Sequence, residues 1–396
     1  MEYNFSNRVN ALKPSAIREI FKYAADPSVI SLSAGNPAPE AFPVDAITEI
    51  SNKILTNRPI DALQYSFTEG YTPLRQQLTK YMKDNHNAFA DFDDILITSG
   101  AQQIMDLASK AICNEGDTII CEAPSFIGSL NTFRSYKCNL KGVELEDDGM
   151  NIEMLEKALQ TEENVKFIYT IPNFQNPSGV TTSLEKRKAI YELAKKYKVL
   201  IIEDNPYGDL RYEGEAVDCI KSLDTDGLVI YAGSFSKVIS PGMRVGYCIA
   251  PQPIIQKMVV CKQGQDVHTN IWSQMICDEF MRNYDFNEHL AYLRELYSKK
   301  AKLMMDLLDE HLAPHITYNK ITGGLFTYCK LPENIDMLEF CKEAVLNKVC
   351  VVPGNAFLTD ESEKCSYFRI NFSTPTDEQL VKGITILGEV AKKMMK

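Results

Sequence analysis

Short apolar runs alternate with amphipathic stretches along the chain from about residue 93. Apolar runs of this length are typical of buried strands, and the stretches between them repeat their apolar residues at helical spacing. The alternation predicts an α/β fold in which helices cover a mostly parallel sheet. The predicted strands span residues 94–98, 118–121, 166–170, 199–202, 228–231 and 245–249, and the clearest predicted helices span 102–113 and 183–196.

The pattern changes near Asp285, where one long helical repeat begins. It covers residues 287–312, and Gly323-Gly324 and the short apolar segments 325–329 and 349–352 follow it. We therefore predict a large domain over residues 46–284 and a smaller α+β domain over 285–396. Residues 1–45 hold a candidate helix at 15–23 but are too irregular to form a domain alone. We predict that they form an N-terminal arm and part of the small domain.

The charge balance and the cysteines narrow the class of protein. The chain has 396 residues with 53 acidic and 42 basic side chains, a net charge of -11 that does not attract nucleic acids or anionic membranes. Its 11 cysteines form no CxxC pair, which favours reduced thiols over a zinc site or a disulfide framework. The sequence shows neither a signal peptide nor an apolar stretch long enough to cross a bilayer. We expect a cytoplasmic protein without a metal site.

One lysine, Lys237, lies among hydroxyls, glycines and a single arginine in residues 233–247. A lysine amine attacks carbonyl groups when its pKa falls, and the nearby cation Arg244 is one way to lower it. The Arg244 guanidinium and the hydroxyls of Ser234 and Ser236 are also suitable donors for a phosphate ester. The segment predicts a reactive lysine beside a phosphate pocket. By itself it is explained equally well by an exposed loop lysine between turn-forming residues.

Polar residues follow four of the predicted strands, at the edge where open α/β sheets bind ligands. The first strand leads through Ser99 and Gly100 into a helix whose free N–H groups can hold a phosphate. After the third strand, Asn176 offers an amide donor or forms an Asx turn before proline. After the fourth, Asp204 is a buried acid that needs a cation, and the phenol of Tyr207 follows it. The Lys237 segment follows the fifth, and together the four strand ends predict one shared site.

These segments also match motifs that extend over nearly the whole chain. The matching segments are 63–66, 69–75, 99–103, 122–126, 176–179, 203–207, 234–237, 262–269 and 368–373. In this combination the sequence resembles the pyridoxal-phosphate-dependent aminotransferases of class I/II, in the branch that includes 2-aminoadipate, kynurenine and aromatic aminotransferases. The resemblance implies the pyridoxal-phosphate-dependent transferase fold type I, with a mostly parallel seven-stranded sheet in the large domain. It also implies a homodimer with active sites at the subunit interface.

The resemblance implies a role for each residue that matches the family's site. Lys237 would bind the cofactor covalently and later move the substrate proton, and Asp204 would pair with the pyridine nitrogen so that the ring accepts electrons. Asn176 and Tyr207 would hydrogen-bond the phenolic oxygen of the ring. The phosphate would be held by the backbone of Ala101 and Gln102, by Ser234, Ser236 and Arg244, and by Tyr65 of a second subunit.

The family match also covers the ring face and the substrate. Phe126 would stack on the ring at a position where the family often has tyrosine, so the role of that hydroxyl is in doubt here. Arg369 would bind the substrate carboxylate as a bidentate fork, together with Asn176. Gly35 would make a backbone contact near the substrate. Arg18 would meet an acidic substrate side chain or swing away from an apolar one, although an ordinary solvated helix face explains Arg18 as well.

The activity implied by the resemblance is the transfer of an amino group from an L-amino acid to a 2-oxo acid, with 2-oxoglutarate as the expected acceptor, in a ping-pong cycle. The donor would be aromatic, aliphatic or similar to 2-aminoadipate. A β-lyase on the same fold is the alternative, because the same lysine could act on a substrate that carries a leaving group. A sensor domain without activity is disfavoured, because only about 30 residues precede the Ser31–Gly35 segment and they do not resemble a DNA-binding module.

Overall fold

A computed structural model describes residues 3–10, 26–313 and 315–395 of the chain. Its main element is a sheet whose strands lie in the order β2-β9-β8-β7-β6-β3-β4-β5. These strands are β2 (Asp93–Thr98), β3 (Thr118–Ala123), β4 (Asn139–Glu146), β5 (Gly149–Met150), β6 (Val165–Thr170), β7 (Leu200–Asp204), β8 (Val229–Ser234) and β9 (Gly246–Pro251).

Most neighbours in this sheet are parallel. β4, β3, β6, β7 and β8 pair in parallel, whereas β9 lies antiparallel between β8 and β2. Seven strands of five to eight residues match the predicted seven-stranded sheet, and the two-residue β5 adds an eighth at the edge by pairing with β4. All six strands predicted from apolar runs are present. The carboxyl ends of β6, β7 and β8 lie side by side, so the polar residues that follow them converge.

Helices pack on this sheet through their apolar faces. The helix Ala101–Ile112 and the helix Leu184–Tyr197 lie within one residue of their predicted bounds. Ser183 caps the second helix by accepting a hydrogen bond from the backbone N–H of Lys186. The remaining α-helices of the described residues are Asn7–Asn10, Val44–Asn57, Pro59–Leu63, Thr72–His86, Ile127–Ser135, Ile152–Thr161, Gln252–Gln263, Ile271–Asn283, Phe286–His311, Met337–Leu346 and Asp377–Met394.

A second, smaller sheet lies in the C-terminal part of the chain. It has the order β10-β11-β14-β13, and its neighbours are antiparallel. Its strands are β10 (Thr317–Tyr318), β11 (Phe326–Lys330), β13 (Val352–Pro353) and β14 (Tyr367–Asn371). A further two-stranded sheet pairs β1 (Ile30–Ser31) with β12 (Val349–Cys350). The N-terminal segment therefore packs with the C-terminal part of the chain.

The long helix Phe286–His311 joins the two hydrophobic cores. Its first turns, including Leu290 and Tyr297, belong to the core beneath the large sheet, and its later turns, including Met304 and Leu308, belong to the core of the C-terminal part. The predicted domain boundary at residue 285 falls where this helix begins, and the boundaries remain a prediction. No helix among the described residues is long and apolar enough to cross a membrane.

Candidate active site

A cavity of 630 Å³ opens at the carboxyl ends of the large sheet's parallel strands and reaches across to the C-terminal sheet. It collects the residues that the sequence placed at the strand ends, together with residues from the segment 33–36 and from β11 and β14. The predicted residues that line it are Gly35, Ala101, Gln102, Phe126, Asn176, Asp204, Tyr207, Ser234, Ser236, Lys237, Arg244 and Arg369.

Lys237 faces the cavity just after β8. Its Nζ donates a 2.7 Å hydrogen bond to the backbone carbonyl of Gly35. Burial of the amine, together with the positive charges of Arg369 and Arg244, lowers the pKa of Lys237 to about 8. The sequence predicts Arg244 as the cation near this lysine. In the structure, burial is the first cause, and Arg369 contributes ahead of Arg244.

The N-terminus of the helix Ala101–Ile112 and Arg244 form one end of the cavity. The helix begins at Gly100, which has a φ of 79°, and the Arg244 guanidinium packs against this turn and donates a 3.1 Å hydrogen bond to the carbonyl of Ser99. A Cβ on Gly100 would lie 2.2 Å from Nη2 of Arg244, so this approach requires glycine. Free helix N–H groups, a guanidinium and the hydroxyls of Ser234 and Ser236 can together hold a dianionic phosphate.

Asp204, the last residue of β7, lies in the floor of the cavity and is only 4% exposed. One carboxylate oxygen, Oδ2, accepts a 2.8 Å hydrogen bond from the hydroxyl of Tyr169. The other, Oδ1, is buried and has no hydrogen-bond partner. Burial raises the pKa of Asp204 to about 7. A buried carboxylate oxygen without a partner fits a ligand that brings a protonated nitrogen to this point.

Asn176 lines the cavity and connects Tyr207 with Arg369. Its Oδ1 accepts a 2.7 Å hydrogen bond from Nη1 of Arg369, and its Nδ2 lies 3.4 Å from the Tyr207 hydroxyl. Arg369 also donates a 2.7 Å hydrogen bond from Nη2 to the carbonyl of Ser33. Its Nε is buried without a partner, and burial lowers the pKa of Arg369 to about 10. Burial raises the pKa of Tyr207, which keeps the phenol protonated.

A buried acid behind the cavity, Glu122, anchors the loop that carries Asn176. Its carboxylate accepts hydrogen bonds from the hydroxyl of Thr170 at 2.5 Å and from Nε2 of Gln175 at 3.0 Å. Oε1 of Gln175 in turn accepts a 2.9 Å hydrogen bond from the backbone N–H of Ser178. Burial raises the pKa of Glu122 to about 7. This network fixes the backbone on both sides of Asn176.

One predicted residue, Tyr65, lies away from the cavity of its own chain. Tyr65 is 81% exposed, does not line the cavity, and makes an edge contact with the ring of His268 at 5.9 Å between centroids. Arg18 and the candidate helix 15–23 lie outside the described residues. The prediction for Arg18 is therefore not addressed by the structure.

Several residues that line the cavity or lie behind it are not predicted from the sequence. Tyr169 looks like an ordinary apolar member of β6 until its hydroxyl is seen on Asp204. Phe326 and Phe357 lie beside Arg369, and no polar residue marks them in the sequence. The further apolar lining residues are Ala34, Met105, Ile127, Ile171, Pro206 and Val352. Phe326 follows Gly323-Gly324-Leu325 in the sequence, but this position points to the cavity only once the pairing of its strand with β14 is known.

Comparisons with known proteins agree with this arrangement. The sequence profile described as aminotransferase class I and II matches residues 27–387. An aromatic-amino-acid aminotransferase of Thermococcus litoralis is 40% identical over 399 residues, which cover 100% of this chain and 95% of that relative. The structure of a multiple substrate aminotransferase from Thermococcus profundus has a TM-score of 0.95 and 37% identity, and the match covers 99% of this chain and 98% of that chain.

A second solved structure bears on the cofactor. An α-aminoadipate aminotransferase from Thermus thermophilus, complexed with N-(5'-phosphopyridoxyl)-L-leucine, has a TM-score of 0.90 and 32% identity, and the match covers 99% of this chain and 98% of that chain. The family profile covers most of the chain, and the donor set around Lys237 and Asp204 fits a ligand with a phosphate, a carbonyl carbon and a protonated ring nitrogen. The chain therefore belongs to the class I and II aminotransferases and is a pyridoxal-phosphate-dependent aminotransferase of fold type I.

Proposed function

We propose that this aminotransferase takes its amino group from an L-amino acid with an aromatic or large aliphatic side chain. The observation that carries the proposal is the wall beside Arg369, which is formed by Ile127, Phe326, Val352 and Phe357. Among the described residues that line the cavity, the cations are Lys237, Arg244 and Arg369, and none is left over to meet a second substrate carboxylate. The acceptor is a 2-oxo acid, 2-oxoglutarate in our proposal, and the two half-reactions follow a ping-pong order.

In this proposal the residues at the two ends of the cavity would hold the cofactor between them. The phosphate of the cofactor would be bound by the backbone of Ala101 and Gln102 and by the side chains of Ser234, Ser236 and Arg244. Asp204 uses its free Oδ1 to hold the protonated ring nitrogen, and Tyr169 keeps the carboxylate in place. Asn176 and Tyr207 hydrogen-bond the phenolic oxygen, and Phe126 packs on the ring.

Lys237 has two tasks in the proposed reaction. It anchors the cofactor through Nζ, and it carries a proton to and from the substrate carbon once its amine is free. The bound cofactor supplies a ring that accepts the electron pair left when the Cα–H bond breaks. A lowered lysine pKa suits both tasks, because a neutral amine is the nucleophile and the base.

Arg369 selects the substrate by its carboxylate. Its Nε is a free donor in a buried position, and its terminal nitrogens each keep a second N–H, so a carboxylate can bind as a bidentate partner. Asn176 holds the guanidinium from the side, and the Gly35 backbone lies next to the same end of the cavity. We propose that Arg18 contacts the substrate only when the substrate side chain is acidic. In this proposal 2-aminoadipate is a secondary amino donor.

We also propose a homodimer in the cytoplasm. Support for the dimer comes from the apolar side chains Ile60, Leu63, Tyr65 and Phe67, which are all at least 70% exposed within one short segment. A second copy that covers this segment would remove the patch from water and could bring Tyr65 to the phosphate of the neighbouring site. Support for the cytoplasm comes from the 11 cysteines, which are all free thiols.

A half-reaction screen tests the donor. The loaded enzyme is mixed with single amino acids without any acceptor, and the absorption spectrum of the cofactor is followed. We expect phenylalanine, tyrosine, kynurenine and leucine to react fast and aspartate to react slowly. A preference for aspartate or another short acidic donor would overturn the proposed substrate class. Release of pyruvate and ammonia from a substrate with a β leaving group, without an acceptor, would instead identify a β-lyase.

A further inference from the structure

Arg369 lies against two phenylalanine rings at the substrate end of the cavity. Its guanidinium carbon is 4.2 Å from the centroid of the Phe326 ring and 5.1 Å from that of Phe357. Both phenylalanines are buried, and both line the cavity. Aromatic faces attract cations, and the attraction is strongest where water is excluded. The contact therefore stabilises a guanidinium that has lost most of its hydration.

Separate backbone segments hold the two rings. Arg369 pairs with Tyr328 across β14 and β11, and Phe326 is two residues before Tyr328, on the same face of the strand. Phe357 ends the 3₁₀ helix Gly354–Phe357, and its carbonyl accepts a 2.7 Å hydrogen bond from the backbone N–H of Ser125. Each ring is thus held by its own backbone segment, Phe326 by the strand paired with that of Arg369 and Phe357 by a separate 3₁₀ helix.

Within the described part of the chain, Arg369 makes no ion pair, although its side chain is buried. Its hydrogen-bond acceptors are the neutral oxygens of Asn176 and Ser33. A protein carboxylate at this place would neutralise the guanidinium and fill its hydrogen-bonding fork. The two rings stabilise the positive charge without accepting those hydrogen bonds, so the fork stays available to an incoming anion.

We propose that Phe326 and Phe357 are positioning residues, which keep the Arg369 guanidinium charged and correctly oriented for the substrate carboxylate. This inference rests on the proposed function, in which Arg369 binds that carboxylate. Phe357 is the better residue to change. Phe326 also contacts the ring of Tyr207, at 5.8 Å between centroids, and packs on Gly35, so its loss would disturb the cofactor side as well.

The test compares Phe357→Leu, which keeps an apolar side chain, with Phe357→Tyr, which keeps a ring. Phe340→Leu is the control, because Phe340 is a fully buried phenylalanine that packs on Phe368 and does not line the cavity. Two probes are used, L-phenylalanine and phenethylamine, which has the same ring and amine without the carboxylate. KM and kcat are measured for L-phenylalanine, and the dissociation constant of phenethylamine is measured by competition.

We expect Phe357→Leu to raise the KM for L-phenylalanine about tenfold and to change kcat much less. The affinity for phenethylamine, which meets the same apolar wall but has no carboxylate, should fall much less than that for L-phenylalanine. Phe357→Tyr is expected to restore the KM, and Phe340→Leu to leave it at the wild-type value. The affinity for pyridoxal phosphate and the absorption spectrum of the bound cofactor should not change in any of the three variants.

Three results would overturn the inference: equal losses for both probes, a tyrosine variant as poor as the leucine variant, or a wild-type KM in Phe357→Leu. Arg369→Gln separates this failure from that of the proposed function. If Arg369→Gln leaves the KM for L-phenylalanine unchanged, the assignment of Arg369 to the carboxylate is wrong. If Arg369→Gln raises that KM while Phe357→Leu does not, only the role of the rings is wrong.

Discussion

Asn176 lies between Arg369 and Tyr207, with its Oδ1 2.7 Å from the guanidinium and its Nδ2 3.4 Å from the phenol. One amide therefore contacts both the group proposed for the substrate carboxylate and a group proposed for the cofactor ring. A change at Asn176 should alter substrate binding and cofactor properties together.

Replacing Asn176 with alanine tests this link. The variant removes a hydrogen bond to a charged group, so the KM for the amino acid donor is expected to rise roughly 10- to 100-fold. The pH at which the absorption spectrum of the bound cofactor changes should also shift, because the amide no longer contacts the phenolic oxygen. Steady-state kinetics and a spectral titration measure the two effects. Asn57→Ala, on an exposed helix, is the control, and a change in only one of the two properties would contradict the link.

Lys237 is the residue expected to carry the cofactor. Borohydride reduction of the loaded enzyme should fix the cofactor on the peptide that contains Lys237, which mass spectrometry can identify. Lys237→Ala should lose turnover by at least about a thousandfold, because it removes both the anchor and the general base. Lys257→Ala changes an exposed lysine and should behave as the wild type. Turnover near the wild-type rate in Lys237→Ala would remove this residue from the mechanism.

Attachment of the cofactor to the cofactor-free enzyme should depend on pH. The pKa of Lys237 is lowered to about 8, and only the neutral amine attacks the aldehyde, so the attachment rate should rise with pH and level off above about 8. Arg369→Gln removes a nearby positive charge that disfavours the ammonium form. The midpoint of the profile should therefore move to higher pH in that variant. Stopped-flow absorbance gives both profiles, and a midpoint that moves to lower pH would contradict the assigned cause.

Asp204 contributes to stability in a pH-dependent way when the cofactor is absent. Burial raises its pKa from 3.8 to about 7, so the unfolded chain releases this proton first as pH rises. The stabilising contribution of the protonated carboxyl is fully present below the unfolded pKa and is lost as pH rises through 7.

The cofactor-free Asp204→Asn variant has no carboxyl at this position, so it does not lose this stabilising contribution as pH rises. Its stability relative to the wild type should improve by about 2 kcal/mol between pH 5.5 and pH 8. Urea unfolding at the two pH values measures the difference. With the cofactor present, Asp204→Asn is expected to be harmful: the variant should bind the cofactor more weakly and release the substrate proton more slowly than the wild type. A stability difference that does not change with pH would mean that Asp204 is already ionised in the empty cavity.

The sequence predicts those parts of the site that follow from local pattern. Asp204 and Asn176 follow buried apolar runs, and in a parallel sheet such ends lie at one edge. β4 was not predicted, because only one of its eight side chains is buried and its charged residues hide the strand pattern. Contacts that depend on the register between strands far apart in the sequence could not be predicted either. Phe326 reaches Arg369 only because β11 pairs with β14 in one particular register.

The exposure of Tyr65 leads to the last prediction, which distinguishes a role in its own chain from a role in a second one. Tyr65 is 81% exposed and does not line the cavity of its own chain. If it acts across a dimer interface, Tyr65→Ala and Lys237→Ala damage the same site of a mixed dimer. One site then receives both changes, and the other is intact.

The two variants are therefore mixed in equal amounts, unfolded and refolded together. Because half of the dimers are mixed and each of these has one intact site, the mixture should recover about a quarter of the wild-type activity. The assay is run at low cofactor concentration, where Tyr65→Ala alone binds little pyridoxal phosphate. If Tyr65 acts within its own chain, every site carries a defect and the mixture is no more active than the average of the two variants. Gel filtration of the refolded mixture confirms that dimers are present, so that a lack of recovery counts against the shared site rather than against assembly.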